Sequence, residues 1–409
     1  MSKWEEKRLE DIIDVNPPVK LKKGESYPFI DIDKVSPTRR SVTNEEVKVY
    51  DGQSSSKFCD GDTVFSRITP CLENRKIAKV AIDGDAAFGS TEFYVFRAKK
   101  KKADARFTYY LTSSDAVVLP AINSMTGASG RQRADKRFIQ RLKLNLPDLP
   151  TQEHIADILS AYDDLIEANN RRIELLEQLA QELYKEWFVR FRFPGQEKTK
   201  FENGLPEGWD YVRFGKAIDI IDGDRGVNYP KQEEFYPAGD CLFLNAGNVT
   251  SKGFDFSACS YITKEKDSIL RKGKLQHGDV VLTTRGTVGN VAFYNETMTF
   301  SEMRINSGMV ILRNLGVVST EYIYTALRHE YLQKLMSLYA SGSAQPQLPI
   351  KDMKRMKIIK PDTTTMERFT EMSADVYNQI SLLIMKNQTL AKQRDMLLPR
   401  LMSGKLEVN

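Results

Sequence analysis

The chain has 409 residues, of which 41% are hydrophobic and 28% charged, with a formal net charge of +5. That length exceeds one ordinary domain and suggests two or three. No apolar run is long enough to suggest a membrane span, and a charge so close to balance does not by itself point to a nucleic-acid partner. Four cysteines without a CxxC pair, and only three histidines, argue against a structural zinc site or a disulfide framework and fit a reducing cytoplasm.

The chain opens with "MSKWEEKRLEDI", charged and amphipathic, which reads as neither a signal nor a transit peptide. "NPPV" at Asn16–Val19 resembles the Asn-Pro-Pro-aromatic loop with which amino-methyltransferases hold a flipped base. Val19 offers no face for stacking, and no Gly-rich strand-to-helix turn for a methyl donor stands nearby. It reads as a rigid loop. "FCDGDTVFSRIT" (Phe58–Thr69) is a Gly-Asp turn followed by a β-branched strand that delivers Arg67. A Gly/Ser loop, "MTGASGRQ", then leads into "RQRADKRFIQRLK" (Arg131–Lys143), where six basic residues and one acidic residue give a local +5.

From Ala156 to Phe188 there is neither Gly nor Pro, and Thr151–Glu186 holds nine acidic and three basic residues, a local −6. Alternate steps of four and three residues pass through Ile155, Leu159, Tyr162, Ile166, Asn169, Ile173, Leu176, Ala180, Leu183 and Trp187. A period of 3.5 predicts a coiled-coil helix, and a lone Asn in such a seam typically fixes register and partner choice.

After "FPGQEKTKFENGLPEGW" the plan is written again. "WDYVRFGKAI" answers "WEEKRLEDI", and "LQHGDVVLTTRGT" (Leu275–Thr287) answers the first Gly-Asp strand and delivers Arg285. "YASGSAQPQ" answers the Gly/Ser loop, and "KDMKRMKIIK" (Lys351–Lys360) carries a local +4. Thr365 then stands where Thr151 stood, and a second seam runs through Phe369, Ser373, Val376, Ile380, Leu383, Asn387, Leu390, Arg394, Leu397 and Leu401. An ordered repeat of this length predicts two similar folding units. Helices of about 40 residues span roughly 60 Å. If each unit's entry and exit lie together, the helices run antiparallel with a unit at either end. The expected class is α+β: two similar α/β domains separated by two long helices in an antiparallel coiled coil, with pseudo-two-fold symmetry. The expected boundaries are residues 1–150, helix 151–192, linker 193–208, residues 209–362, and helix and tail 363–409.

Two such domains at a fixed separation suit a duplex, whose grooves repeat about every 34 Å. Duplex readers combine phosphate-positioning Lys and Arg with a few base readers, chiefly Arg for guanine and Gln or Asn for adenine. Candidates of those types in the first domain are Arg39, Arg40, Arg67, Arg75, Lys76, Arg131, Gln132, Arg133 and Lys136. The second offers Arg271, Lys272, Lys274, Arg285, Thr287, Gln345, Gln347 and Lys351.

The order of a Trp-led domain start, "GDTVFSRITPCLEN" or "GDVVLTTRGTVG", a Gly/Ser loop, "LPDLPTQEHIADILSAYDDLIEANNRRIELLEQL" and "LPEGWDYVRFG" resembles the specificity subunit of type I restriction-modification systems over nearly the whole chain. The resemblance implies two target-recognition domains, each reading one half of a split sequence in double-stranded DNA, with the helices setting the gap. It also implies docking of two methyltransferase subunits, and of restriction subunits in the full complex, in the cytoplasm and away from membranes. Gln152, Glu153 and Asp163 of the first helix are then expected to face that partner. The second copy departs at Thr365-Met366-Glu367-Arg368, where the first has Thr151-Gln152-Glu153-His154.

No catalysis is expected on this chain. It lacks a GxxxxGK[ST] loop for ATP, and the acidic turns "DID" (Asp31–Asp33) and "DGD" (Asp222–Asp224) lack an accompanying nuclease pattern. No cofactor or metal is expected here, whereas S-adenosylmethionine, ATP and Mg²⁺ are expected on partner subunits. The competing readings are a coiled-coil assembly scaffold that binds no DNA and a self-sufficient methyltransferase.

Overall fold

The computed structural model describes residues 4–37, 39–44, 46–128, 130–300, 302–342 and 345–407. They form two compact units. The first holds residues up to Ile166 together with those from Leu390 onward, and the second holds Glu167–Thr389. Each long helix is thus divided between the units.

In the first unit, Trp4–Arg8 pairs antiparallel with Lys143–Pro147. A five-stranded sheet follows in the order Ile13–Val15, Phe93–Ala98, Thr63–Ser66, Ile77–Ala81 and Ser41–Thr43. A four-stranded sheet (Glu46–Val49, Ser26–Ile30, Ala87–Gly89, Ser56–Phe58) and the helices Ala105–Ser113, Asp115–Asn123 and Lys136–Gln140 complete it. Successive side chains on a strand point to opposite faces. On the fully buried strand Thr63–Ser66, Phe65 therefore joins the core of Leu9, Phe96 and Phe107, and Val64 joins that of Ile30, Phe58 and Phe93.

The second unit repeats the plan. Asp210–Arg213 pairs with Lys357–Lys360, and the main sheet runs Ile218–Asp222, Met309–Asn314, Asp279–Thr283 and Val291–Tyr294. The helices Thr320–Arg328, Glu330–Tyr339 and Ile350–Met353 stand in the same order as in the first unit. In each unit the Gly-Asp turn has a glycine at positive φ, Gly61 at 79° and Gly278 at 87°. The aspartate that follows is buried and held by a two-bond fork from an arginine on the neighbouring strand. Arg97 binds Asp62 at 2.7 and 2.6 Å, and Arg313 binds Asp279 at 2.9 and 2.7 Å. Asn16 of "NPPV" is also structural: it exchanges main-chain and side-chain hydrogen bonds with Val95 at 2.7 and 2.9 Å.

The first long helix is Leu149–Tyr184, and the second is Thr363–Met402. Asp148 and Asp362 cap them by accepting from the Thr151 and Thr365 amides at 3.2 and 3.0 Å, satisfying donors that a helix start leaves free. The first helix closes in a five-residue π-turn, Lys185–Val189. Within the second unit the helices pair antiparallel, with Asn169 donating to Asn387 at 2.8 Å at one level and Tyr184 and Trp187 against Phe369 at another. Ile173, Ile380 and Leu383 are buried there, with Leu176 and Leu183 half-buried against the same core. In the first unit Leu159 and Leu401 are fully buried and Leu397 packs beside them, while Ile166 and Leu390 are half-buried.

Two residues expected on an outward docking face are inside. Asp163 is 3% exposed, accepting from Tyr110 at 2.6 Å and paired with Arg394. Gln152 is 2% exposed: its amide donates to the Pro147 and Lys102 carbonyls at 3.0 and 3.3 Å, and its oxygen accepts from the Asp104 amide at 3.2 Å. Both compensate buried polar groups, so neither is available to a partner; only Glu153 is exposed.

Removing one member of a buried pair strands the other, at about 3–5 kcal/mol. Arg394→Met is therefore expected to destabilise the first unit by about 3 kcal/mol, because the buried Asp163 carboxylate loses the guanidinium paired with it. Asp163→Leu in the same chain should recover part of that loss. Urea unfolding followed by hydrogen exchange of the first unit's amides measures both, and an unchanged midpoint in the single variant would show that the pair does not hold the helices.

Candidate nucleic-acid interface

At the end of strand Thr63–Ser66 the chain turns outward through Arg67, and the Gly/Ser loop is stitched onto it by main-chain bonds. Thr126 and Arg133 exchange bonds of 3.0 and 2.9 Å across the loop's neck. The Thr69 amide donates to the Gln132 carbonyl at 3.0 Å, and the Ala134 amide donates to the Arg67 carbonyl at 2.8 Å. Gly127, at φ 126° with the Arg131 carbonyl 3.2 Å from where a Cβ would stand, begins the turn that makes this closure possible.

The second unit builds the same tip. Ser341 and Gln347 exchange bonds of 2.9 and 2.8 Å, and Gly342 turns the chain at φ 103°. The Leu348 amide donates to the Thr284 carbonyl at 2.9 Å, as Ala134 does to Arg67. On the neighbouring strand, the Arg67 amide donates to Glu92 at 2.9 Å and the Thr284 amide to Gly308 at 2.8 Å. Strand register agrees, pairing Phe93 with Ser66 and Met309 with Thr283. By these bonds Arg67, Glu92 and Arg133 correspond to Thr284, Gly308 and Gln347. The expected correspondence of Arg67 with Arg285 is therefore off by one: Arg285 stands where the first unit has Ile68, each bridged to the loop residue Arg133 or Gln347. A one-residue step on a strand turns the side chain to the other face.

Glu92, which no sequence signal marked, organises the first tip. Its carboxylate takes a fork from Arg133, Nε at 2.9 Å and an Nη at 2.5 Å, and a third bond from Arg67 Nε at 3.2 Å. The Arg67 guanidinium lies 5.5 Å from the Tyr94 ring centre, and the Tyr94 hydroxyl donates to the Ala134 carbonyl at 2.7 Å. The Arg133 hydrogen bond foremost, with the charge of both arginines, holds the Glu92 carboxyl below its ordinary range. Arg131 is exposed beside this cluster and Gln132 half-buried; in the second tip Gln345, Gln347 and Thr287 are exposed and Arg285 half-buried.

Other candidates sit on other elements, several of them already engaged. Arg40 pairs with Asp164 at 2.5 Å, Arg75 with Asp115 and the Ser113 carbonyl, and Lys76 with the Ile32 carbonyl at 3.1 Å. Lys274 lies 2.6 Å from Asp267 and 2.5 Å from Glu302. Arg39, Arg271, Lys272 and Lys351 are exposed, and Lys136 is half-buried at the start of its helix. The acidic turns are structural: Asp31 caps Ile32 at 2.6 Å, Asp222 binds Arg225 at 3.0 Å, and Asp224 accepts from the Gly226 and Arg271 amides at 2.8 Å each. Among the described residues no cluster of His, Cys, Asp and Glu is placed to hold a metal ion, and no helix is long and apolar enough to cross a membrane.

Two copies of one α/β plan, each ending in a polar loop of different side chains on an identical main-chain frame, define a duplicated recognition protein. The sequence matches the type I restriction modification DNA specificity domain over residues 1–178 and again over 206–390. It is 24% identical to the type I restriction enzyme MjaIX specificity subunit of Methanocaldococcus jannaschii, over 99% of this chain and 94% of that one. It is also 24% identical to the HindI specificity subunit of Haemophilus influenzae, over 88% and 90%. The crystal structure of a type I restriction-modification S subunit from M. genitalium has the same fold, with a TM-score of 0.54 at 13% identity over 98% of this chain and 96% of that one. The chain belongs to the type I restriction-modification DNA specificity family. It is a specificity subunit, which recognises DNA and leaves catalysis to other subunits.

In the second unit the Asp267 side chain pairs with Arg304 and Lys274. Burial alone would push its carboxyl up, but the Lys274 and Arg304 hydrogen bonds outweigh it and hold the group below its ordinary value. A depressed carboxyl adds stability above its unfolded pKa, about 3.9, and loses it as pH falls through the lower folded value. Asp267→Asn should therefore cost most at neutral pH and progressively less below about pH 4. Denaturant midpoints of both chains across that range test this; parallel curves would refute it.

Proposed function

We propose that the chain reads a split sequence in double-stranded DNA, residues 1–150 taking one half and 209–362 the other, with the paired helices of 151–192 and 363–409 fixing the gap. What carries this reading is the repeated tip: one main-chain frame, closed by equivalent hydrogen bonds, presents Arg67, Arg131, Gln132 and Arg133 in one unit and Arg285, Gln345 and Gln347 in the other. Arg and Gln are the side chains that read guanine and adenine edges. The exposed Arg39, Lys136, Arg271, Lys272 and Lys351 supply phosphate contacts, which position without specifying. Arg40, Arg75, Lys76 and Lys274 are withdrawn from that role because their charges are spent within the chain.

In this reading two methyltransferase subunits dock on the helices, with Glu153 on the outer face, and restriction subunits join the full complex. S-adenosylmethionine, ATP and Mg²⁺ bind those partners. The assembly works in the cytoplasm.

The test is a base-resolution methylation map of host DNA with and without this gene, the partner genes being expressed. Loss of one split motif with a constant gap is the expected outcome. Duplex affinity of the assembled complex should fall with salt at a log-log slope of about 0.9 per phosphate neutralised. Arg131→Ala should weaken it, whereas Arg75→Ala should leave it near the wild-type value. Identical maps with and without the gene would sink the reading in favour of an assembly scaffold.

A further inference from the structure

The equivalence of the tips goes further than their shared frame. Each places one long polar side chain at the neck of the Gly/Ser loop, next to the end of the central strand: Arg133 in the first unit and Gln347 in the second. Both backbones are fixed on two sides, by the partner across the loop and by the strand end, so neither side chain depends on a wandering loop for its position. Resting on the reading above, we propose that Arg133 and Gln347 are the specificity-determining residues of the two tips, Arg133 taking a guanine and Gln347 an adenine, with Glu92 as the positioning residue that aims Arg133.

The geometry of the Arg133–Glu92 fork supports the assignment. A guanidinium has five N–H donors in one plane. Glu92 occupies the side edge, through Nε at 2.9 Å and one Nη at 2.5 Å. That leaves the end edge, one N–H on each Nη, directed away from the carboxylate. Two parallel donors at that spacing match the O6 and N7 acceptors of guanine in the major groove. Holding the plane of the guanidinium beforehand removes most of the rotamer entropy that a free arginine loses on binding. The Arg133 side chain is about half exposed, at 46%, while Glu92 is 20% exposed, so the positioning group lies beneath the reading group. Arg67, on the other side of Glu92 and against the Tyr94 ring, completes the support and offsets the glutamate's charge.

The second tip has the opposite chemistry at the same places. Gly308 stands for Glu92 and Thr284 for Arg67, so the carboxylate that holds Arg133 has no counterpart at that position. A carboxamide needs none: it carries its own donor and acceptor, the pair that matches adenine N6 and N7.

The experiment is a base-resolution methylation map made with the full complex carrying wild-type chain, Arg133→Gln, Glu92→Gln or Gln347→Ala. Arg133→Gln is expected to relax one guanine in one half-site by about 5- to 150-fold, the range for a bidentate base contact, with the other half-site unchanged. Glu92→Gln should relax the same guanine to a smaller degree, and Gln347→Ala an adenine in the opposite half. The untouched half-site in each case reports that the complex has folded and assembled. If Arg133→Gln gives no complex, Arg133→Lys decides: it keeps the charge but loses the fork, and should relax the same base. A wild-type split motif whose bases are unchanged in the Arg133 variants overturns the inference, as does relaxation by Glu92→Gln at a different base. A wild-type map with no split motif instead removes the parent reading, and this inference with it.

Discussion

The core of the first unit cannot be completed by contiguous chain. Leu401 is fully buried alongside Leu9, Ile155 and Leu159, so the last helix must return before that core closes. The second unit is one contiguous stretch, but its core too closes only when the last helix packs on the first, with Phe369 near the start of the last helix fully buried among Tyr184, Trp187 and Phe188 at the end of the first. Within the second unit, burial of Phe369 against the end of the first helix, with Asn169 opposite Asn387, sets the two helices antiparallel. Apolar seams alone tolerate slippage, because one leucine replaces another. The polar layers do not: any slip would bury the Asn169 amide or the Asp163 carboxylate without Asn387 or Arg394 opposite. Register is thus fixed by the least hydrophobic residues of the seam.

Within each unit, what folds the tip and what distinguishes it are different atoms. The frame is main chain: the bonds across the loop neck, from the strand end to the loop, and from the neighbouring strand. Beneath it the forked Asp62–Arg97 and Asp279–Arg313 pairs hold the same turn in both units. None of these depends on the identity of residues 133 or 347. Side chains at the tip can therefore change without unfolding the domain, which is the physical condition for one scaffold to serve many targets.

Much of this was legible in the sequence, and all but one of the failures share a cause. The 3.5-residue period, the two Gly-Asp strands and the order of the repeat depend on local spacing, and spacing is what a sequence displays. The family resemblance puts Gln152 and Asp163 on an outward face; their partners Pro147, Tyr110 and Arg394 come from a main-chain carbonyl, another helix and the far end of the chain. Glu92 was invisible for the same reason, since two arginines give it meaning and one of them is 41 residues away. The Arg285 error is different. "TVFSR" and "VVLTTR" look alike, yet one extra residue on a strand reverses the face, and only register reveals it.

A glutamate at a surface meant for phosphate appears self-defeating, and the charge balance of the two tips resolves this. Arg67, Arg133 and Glu92 together carry +1. In the second tip Thr284, Gly308 and Gln347 are neutral and Arg285 supplies +1 from the adjacent position. At these equivalent positions the net charge, on which any long-range attraction to a duplex depends, is thus the same in both tips, and the exposed Arg131 adds to the first. The additional arginine and its glutamate in the first unit contribute nothing to that attraction. They hold the Arg133 guanidinium in one direction, and in the reading we propose it is direction that discriminates one base edge from another.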